Sequence, residues 1–334
     1  MAQIPAPASP RLHVQSDAIK ERARAEGFTK VGIVSAASLD EEGRRLKEWL
    51  ARGYHGTMSW MARDVEKRIS PREIFPDARS IVVVALNYYT PHQHEQKAST
   101  GKVSRYAWGD DYHDIVGEKL RALLSWIKAA DPQVEGKVCV DIQPVMDKAW
   151  AVRAGLGWLG KHSNIITPEY GSWVFIGELL LNLELEYDVE QVEDHCGTCT
   201  LCIDACPTAA ITEPYVVDSN KCISYATIEL RDPELPADVE QNLSGWIYGC
   251  DICQDVCPWN RFEQVTGEPR FAPREGNVNA ELRDIVQLSH DAYVERFRGS
   301  AMKRAKLSGL QRNARALMPT TETPQQPALH EESG

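Results

Sequence analysis

Long apolar runs are missing from this chain of 334 residues. Its strongest apolar stretch, residues 81–86, is far shorter than the ~20 residues that a membrane helix needs, and the N-terminus carries no apolar segment of signal-peptide length. Basic residues do not dominate either, because 37 Lys and Arg stand against 48 Asp and Glu and give a net charge of −11. These absences argue against a membrane protein and a sequence-blind nucleic-acid coat, and they predict a cytoplasmic protein.

Two common nucleotide-binding sites are not indicated either. No G-x-G-x-x-G follows a predicted strand, and no G-x-x-x-x-G-K-S/T occurs, so neither a Rossmann dinucleotide site nor a P-loop is indicated. The composition, with 43% apolar and 25% charged residues, is typical of a globular protein. At this length we expect about two or three domains.

The pattern of apolar residues divides the chain into four parts. Residues 1–190 alternate predicted strands, such as 81–89 and 137–142, with predicted helices, such as 111–130 and 145–154, and form one domain of mixed helix and sheet. Residues 191–260 contain the grouped cysteines. Residues 261–317 are predicted to be a mainly helical, basic segment, and the proline-rich residues 318–334 a mobile tail.

Cysteine is scarce but concentrated, since eight of the nine cysteines lie between positions 196 and 257. The first four have the C-x2-C-x2-C-x3-C-P spacing of bacterial ferredoxins: Cys196, Cys199, Cys202 and Cys206. The other four repeat the end of that run, with 27 residues between their first and second members: Cys222, Cys250, Cys253 and Cys257. Because the reducing cytosol disfavours disulfides, this grouping predicts metal or cluster binding.

The ferredoxin pattern also predicts which cysteines act together, because the last cysteine of each run reaches across to the other cluster. One 4Fe-4S cluster is then held by Cys196, Cys199, Cys202 and Cys257. The second is held by Cys222, Cys250, Cys253 and Cys206. A pair of four-thiolate zinc sites is the alternative, although zinc sites usually pair two C-x2-C units. The remaining cysteine, Cys139, is predicted to be a small buried hydrophobe.

Motifs spread over most of the chain resemble those of the epoxyqueuosine reductase family. Its members are cobalamin-dependent iron-sulfur enzymes that complete the tRNA modification queuosine. Besides both cysteine groups, the matching motifs are HGTMSWM at 55–61, SRYAWGDDYH at 104–113, VD at 140–141, RAGLGWLGK at 153–161, CISY at 222–225, FRGSA at 297–301, KRAK at 303–306 and the tripeptide Arg312-Asn313-Ala314.

The resemblance implies an α+β fold. Its first domain would be nitroreductase-like and would bind base-off cobalamin facing the nearer cluster, and a two-cluster ferredoxin-like domain and a short helical segment would follow. It also implies a reaction, the reduction of epoxyqueuosine to queuosine in a tRNA anticodon loop. The expected partners are that tRNA and a low-potential electron donor, and we expect a monomer with no membrane contact.

Opening an epoxide with loss of water requires a proton donor, and the resemblance implies that this donor is Asp141. A carboxylic acid that donates near neutral pH needs a raised pKa, which burial beside an apolar corrin face could provide. The alternative is an aspartate that caps the helix predicted from residue 145.

Further contacts are predicted with less specificity. Hydroxyl, amide and guanidinium groups on loops suit corrin amides or substrate, and the candidates are Arg63, Arg105, Tyr106, Asp141, Ser163, Asn164, Ser224 and Tyr225. The segment 296–315 has no acidic residue, which predicts phosphate contacts with tRNA by Lys303, Arg304, Lys306 and Arg312. A solvated basic helix face is the alternative for that segment.

Two other functions fit part of the pattern. A cobalamin-dependent reductive dehalogenase would share the corrinoid and both clusters, but such enzymes commonly carry export signals and have no basic C-terminal helix. A non-enzymatic electron-transfer module would leave the large first domain without a use.

Overall fold

The computed structural model describes residues 15–188 and 192–318. The strands are β1 Lys30–Ser35, β2 Ser80–Asn87, β3 Thr100–Val103, β4 Gly136–Cys139, β5 Trp158–Leu159, β6 Ile165–Ile166, β7 Val174–Leu181, β8 Ile211–Glu213, β9 Val216–Val217, β10 Trp246–Tyr248 and β11 Asn279–Glu281. The α-helices are α1 Ser16–Ala25, α2 Asp40–Ala51, α3 Ser59–Arg63, α4 Val65–Ile69, α5 Tyr112–Ala130, α6 Asp147–Arg153, α7 Leu201–Asp204, α8 Ile223–Ile228, α9 Ala237–Glu240, α10 Ile252–Asp255, α11 Leu282–Gln287, α12 His290–Arg296 and α13 Lys306–Leu317. Short 3-10 turns cover Pro71–Glu73, Arg105–Ala107, Ser219–Lys221, Pro258–Phe262, Pro269–Phe271 and Ala301–Ala305.

The first domain is built on a four-stranded sheet in the order β1-β2-β7-β4, with every neighbouring pair antiparallel. All eight residues of β2 are buried, because helices cover both faces of this central strand. On one face, Ile19 of α1 and Leu120 of α5 pack against the sheet. On the other face, Trp150 of α6 packs against Ile81 and Val83. The predicted α+β class is confirmed.

A second sheet joins the three parts of the chain that the sequence separates. Strand β3 of the first domain lies between β10, parallel to it, and β11, antiparallel to it. The core around this sheet includes Trp108 from the first domain, Tyr248 from the cysteine-rich region and Phe297 from the C-terminal segment. Because these side chains share one core, the cysteine-rich region has a defined position on the first domain.

Several predicted elements occur with changed ends. The predicted strand 137–142 ends at Cys139, so that residues 140–146 form a loop, and the segment predicted to be helical contains the strand β11. The start of α1 is fixed to a distant part of the chain, because the Ser16 hydroxyl donates to the carbonyl of Glu186 at 3.0 Å and accepts from the Glu186 amide at 2.9 Å. The predicted boundary at 190 and the tail beyond residue 318 lie outside the described residues. In the described part of the chain, the helices lack the length and apolar character of a membrane crossing.

Candidate active site

A cavity of ≈ 560 Å³ lies between the first domain and the cysteine-rich region. Strand β7 provides an apolar wall with Val174, Phe175 and Ile176. The turn before β6 provides Ser163 and Asn164, with hydroxyl and amide groups. A mostly apolar cavity of this size with a few polar groups is typical of a binding site for a cofactor or small molecule.

Half of the grouped cysteines face this cavity. Its lining includes the four that were predicted to share the second cluster: Cys206, Cys222, Cys250 and Cys253. The other set lies outside the lining, and its Cys196 and Cys257 pack with Trp158 and Ile166. The four cysteines predicted to share the second cluster therefore line the cavity, whereas the crossed pairing itself stays a prediction.

Asp141 lines the same cavity from the loop that follows β4. Its backbone has a φ of 55°, in the left-handed region that few residues other than glycine, asparagine and aspartate adopt. Its Oδ2 accepts a hydrogen bond from the Tyr112 hydroxyl at 2.6 Å and lies 3.3 Å from His113 Nε2. The side chain is 61% exposed because it faces the open cavity.

The charge on Asp141 is stabilised by these neighbours. Desolvation by itself would raise the pKa of Asp141, but hydrogen bonds from His113 and Tyr112 outweigh it and lower that pKa below the ordinary value. His113 lies between Asp111 and Asp141. Although burial opposes its charge, the two carboxylates raise the pKa of His113 to about 9. The raised pKa expected for Asp141 is therefore wrong for this arrangement, in which Asp141 is a carboxylate that accepts from an imidazolium.

Two other carboxyl groups near the cavity, those of Asp147 and Glu178, have raised pKa values. Desolvation and the charge of Asp141 raise the pKa of Asp147, in the first turn of α6, to about 6. Glu178 of β7 is completely buried, and desolvation together with Asp147 raises its pKa well above the ordinary value. The site thus holds acids of two kinds, a charged Asp141 at the cavity and a buried pair that favours the protonated form.

Two nitrogen groups line the cavity beside these acids. Lys148 Nζ donates to the carbonyl of Ser163 at 2.7 Å and to the side-chain oxygen of Asn164 at 3.1 Å. Burial lowers the pKa of His162 to about 4, which leaves a neutral ring near pH 7. His162 Nε2 is buried, and no hydrogen-bond partner for it is found among the described residues. An unpaired polar atom of this kind at a cavity wall suits a ligand.

The predicted cofactor and substrate contacts divide into two groups. Tyr106, Ser163, Asn164 and Ser224 line the cavity with Asp141. The other candidates lie outside the lining: Arg63, Arg105 and Tyr225. Arg63 is exposed at the end of α3. Tyr225 is buried, and its hydroxyl accepts from the Thr57 amide at 2.7 Å, so its contact is with the 55–61 segment instead of a ligand.

Arg105 is a structural residue, which corrects its predicted role as a contact. It is 6% exposed, and its guanidinium lies 4.4 Å from the ring centre of Trp108 and 5.0 Å from that of Trp173. It also donates to the carbonyls of Thr90 and His92. Its Nη1 is therefore paired inside the protein and holds the segment after β2 against the core, while no partner for its buried Nε is found among the described residues.

Replacing Arg105 with lysine is expected to lower the free energy of unfolding by about 2 to 4 kcal/mol, because lysine loses the stacked, forked geometry and part of the buried hydrogen bonding. Urea unfolding followed by circular dichroism measures this loss. The exposed Arg63→Lys variant is the control and should unfold within about 0.5 kcal/mol of the parent protein. A fully stable Arg105→Lys protein that fails to bind its cofactors would restore the original prediction.

The four predicted tRNA contacts of the basic segment also divide into exposed side chains and a buried one. Lys303, Arg304 and Lys306 are exposed, and we refer to these three residues as the basic edge. Arg304 forms a two-point ion pair with Glu229, at 2.7 Å for each bond. Arg312, in contrast, is 8% exposed and donates inward to backbone carbonyls, including that of Ala226 at 2.6 Å. The predicted phosphate contact of Arg312 is therefore wrong, since its charge is used to anchor α13.

Six side chains of the site were not predicted: Tyr112, His113, Asp147, Lys148, His162 and Glu178. Two of them had a signal in the sequence. Glu178 is the single charged residue in the run VFIGELLL, where a buried strand normally carries none. His113 follows a capping aspartate, Asp111, which accepts from its backbone amide at 3.1 Å. Asp147 and Lys148 carried no signal, because their position on the cavity depends on how α6 packs.

Comparisons with known proteins agree with the site. A family described as "Epoxyqueuosine reductase QueG, DUF1730" matches residues 68–142, and a "4Fe-4S double cluster binding domain" matches residues 195–260. An epoxyqueuosine reductase of Synechocystis sp. is 50% identical over 287 residues, which cover 86% of this chain and 98% of the relative. One of Cellulophaga algicola is 47% identical over 298 residues, 89% of this chain and 96% of the relative.

A solved structure of an epoxyqueuosine reductase with an epoxyqueuosine-modified tRNA-Tyr stem loop is also similar. It superposes with a TM-score of 0.84 at 33% identity, over 90% of this chain and 80% of that chain. The similarity thus extends from the first domain through the cysteine-rich region to the C-terminal segment.

Proposed function

The chain belongs to the epoxyqueuosine reductase family, and from this premise we propose that its cavity reduces epoxyqueuosine in a tRNA anticodon loop to queuosine. The observation that carries the proposal is that Asp141 and one complete set of four cysteines line the same cavity. A proton donor and an electron source therefore meet at one place. The membership makes the protein an oxidoreductase, and it argues against the dehalogenase and electron-carrier alternatives.

The protein holds two 4Fe-4S clusters, as the double-cluster domain over residues 195–260 indicates. We propose that the outer cluster uses Cys196, Cys199, Cys202 and Cys257. The cluster at the cavity would use Cys206, Cys222, Cys250 and Cys253. When bound, the two clusters would carry single electrons from a low-potential donor toward the cavity. The reduction potentials of such clusters reach low enough for this role. The zinc alternative loses its support.

The cavity also fits cobalamin, which the family implies. The apolar wall of β7 suits the face of a corrin ring, and the hydroxyl and amide groups of Ser163, Asn164 and Ser224 suit its side-chain amides. The unpaired Nε2 of His162 offers one more polar contact. When bound, cobalamin supplies a reduced metal centre that reacts with carbon, while the protein contributes orientation and a dry site.

The residues of this chain hold and transfer the protons that the reaction consumes. Conversion of the epoxide to an alkene consumes two electrons and two protons and releases the oxygen as water. Asp141 faces the cavity and, being ionised at rest, is proposed to take up a proton and relay it to the leaving oxygen. His113, held as an imidazolium by Asp111 and Asp141, can return a proton to Asp141 through the 3.3 Å contact with Oδ2. Tyr112 orients the carboxyl through its hydroxyl.

We propose that tRNA phosphates contact the basic edge. All three of its cations are exposed, and they lie in a segment without acidic residues. Phosphate contacts of this kind position the RNA without reading its sequence. The modified base that enters the cavity would provide the specificity. Because tRNA is the proposed substrate, we also propose that the protein acts in the cytoplasm, as a monomer.

Replacing both Lys303 and Lys306 with glutamine is expected to weaken tRNA binding and to reduce its salt dependence. Each lost phosphate contact removes about one released counterion, so the slope of log affinity against log salt should become shallower by roughly two. Binding of the epoxyqueuosine stem loop at several salt concentrations measures the slope. Lys47→Gln, on the exposed face of α2, is the matched control. An unchanged slope in the double variant would show that the basic edge is only a solvated surface.

The proposed reaction is tested by incubating the protein, reconstituted with iron, sulfide and cobalamin, with epoxyqueuosine tRNA and a low-potential reductant. Mass analysis of the nucleosides should show queuosine, lighter by one oxygen atom. Full cofactor occupancy without any conversion would contradict the proposal.

A further inference from the structure

Glu178 is an unexpected residue for the middle of a buried strand. It is 0% exposed, and it lies opposite Val83 of β2 and Cys139 of β4 in the register of the central sheet. Among the described residues, no group donates a hydrogen bond to either of its carboxyl oxygens. An ionised carboxylate in such a place costs several kcal/mol, so a buried acid of this kind remains neutral unless it has a partner.

The group that could share a proton with Glu178 is the carboxyl of Asp147. One of its oxygens, Oδ1, is likewise buried, and no partner for it is found in the described part of the chain. Glu178 lies between Ile176 and Leu180 on the face of the sheet that α6 covers, and Asp147 begins α6, so the two carboxyls are placed to share a hydrogen bond. Two carboxyls can do so only if one of them holds a proton, because ionised carboxylates only accept. The pair therefore stores one proton.

The surroundings connect this stored proton with the cavity. Asp147 lines the cavity together with Asp141, whereas Glu178 lies behind it. Several other titratable or charged groups act on the pair or on Asp141: Lys148 of α6, Arg68 of α4, Cys139 of β4, and His113 and Tyr112 of α5. Of these, Lys148 and Arg68 are the cations that the negative charge of Asp147 favours, so the ionised form of Asp147 after proton loss is tolerated.

We propose that Asp147 and Glu178 form a proton-sharing carboxyl pair that supplies a proton to Asp141 during each turnover. This inference rests on the proposed function and deepens it. The reaction consumes two protons, and Asp141 can hold only one at a time. After the first transfer, the one proton that the pair shares would move from Glu178 through Asp147 toward Asp141, and solvent would return a proton to the pair at the end of the cycle. The two electrons come from the low-potential donor, so electrons and protons balance over the cycle.

The pair can be observed without any turnover. In the protein without cobalamin, infrared difference spectra in heavy water should show the band of a protonated carboxyl near pH 7. That band should lose the contribution of Glu178 in Glu178→Gln, which has nearly the same shape but no acidic proton, whereas the contribution of the buried Asp251, whose pKa is raised by desolvation, should remain. Glu268→Gln is the matched control, because Glu268 is a mostly buried acid whose pKa is lowered by Lys119 and Arg270 despite desolvation, so it is ionised. This variant should keep the band.

The stability of the folded protein gives a second signal. The pKa of Asp147 is about 6 in the folded state against an ordinary 3.8, so the folded state binds more protons than the unfolded state. Stability must therefore fall as the pH rises from about 4 through about 6, and it must continue to fall toward the higher pKa of Glu178. Glu178→Gln should flatten this decline, whereas Glu268→Gln should not.

The role in turnover is read from the pH profile. Glu178→Gln should lower the rate of queuosine formation by ~10-fold or more and shift its pH dependence, while iron, sulfide and corrin content stay at the parent level. If the parent protein lacks the protonated band, the pair does not exist. If the band is present but the variant keeps the parent rate and pH profile, the pair has no part in the reaction. If the parent protein forms no queuosine, the proposed function is wrong, whereas the infrared spectra still decide whether the carboxyl pair exists.

Discussion

Turnover is expected to fall by ~10²-fold or more when Asp141 is replaced by asparagine, which is the usual scale for the loss of a general acid. The amide has nearly the same shape but cannot deliver an acidic proton to the leaving oxygen. Asparagine also tolerates the φ of 55° at this position, so the loop should keep its conformation. Single-turnover conversion of epoxyqueuosine tRNA, followed by nucleoside mass analysis, measures the effect.

The interpretation depends on intact cofactors. The corrin absorption spectrum and the iron content of Asp141→Asn should match those of the parent protein, because the amide keeps the shape of the carboxyl and can make the same kind of polar contact. Asp114→Asn is the matched control, since Asp114 is an exposed aspartate on the same helix as His113. If Asp141→Asn converts its substrate at the parent rate, Asp141 has no role in the chemistry.

Replacing Cys253 with alanine is expected to abolish turnover altogether, because Cys253 belongs to the cysteine set that lines the cavity. Without that cluster, electrons would stop at the outer cluster. Iron and sulfide should fall from about eight to about four of each per chain, as expected for loss of one of two 4Fe-4S clusters. Chemical iron and sulfide analysis after anaerobic reconstitution measures the content, and the tRNA assay measures the activity.

Cys139→Ala is the control for this experiment. Cys139 ends β4, is completely buried among apolar residues of the first domain, and belongs to neither set of grouped cysteines. The variant should therefore keep about eight iron atoms per chain. Full iron content in Cys253→Ala, or a loss of half the iron in Cys139→Ala, would show that the assignment of ligands is wrong.

Features set by neighbours along the chain could be predicted from the sequence. The cysteine spacing indicates two clusters because each ligand set depends on short, regular intervals. The helix α5 follows from apolar residues repeated at helical spacing and from the capping Asp111, and the strand β2 follows from its run of buried aliphatic residues. The identification of Asp141 came from the resemblance to a family, and the structure supports its location at the cavity.

The protonation of the acids could not be predicted, because it depends on groups distant in sequence. Burial was expected to raise the pKa of Asp141, but Tyr112 and His113, from another helix, lower it. The raised values lie instead at Asp147 and Glu178, which are far apart in the sequence and meet only where α6 packs on the sheet. A pKa is set by charges and burial within a few ångströms, and sequence separation carries no information about that distance.

The same distinction separates what the amino-acid sequence determined from what only the tertiary structure decided. Composition, the cysteine intervals and the local motifs were sufficient for the α+β class, the two clusters and the family. Packing alone decided which cysteine set faces the cavity, and it turned Arg105 and Arg312 inward while leaving Lys303 and Lys306 outside. All four cations look alike in the sequence. Their roles differ because a guanidinium with backbone carbonyls and aromatic rings around it is satisfied inside the protein, whereas a lysine without such partners remains in water.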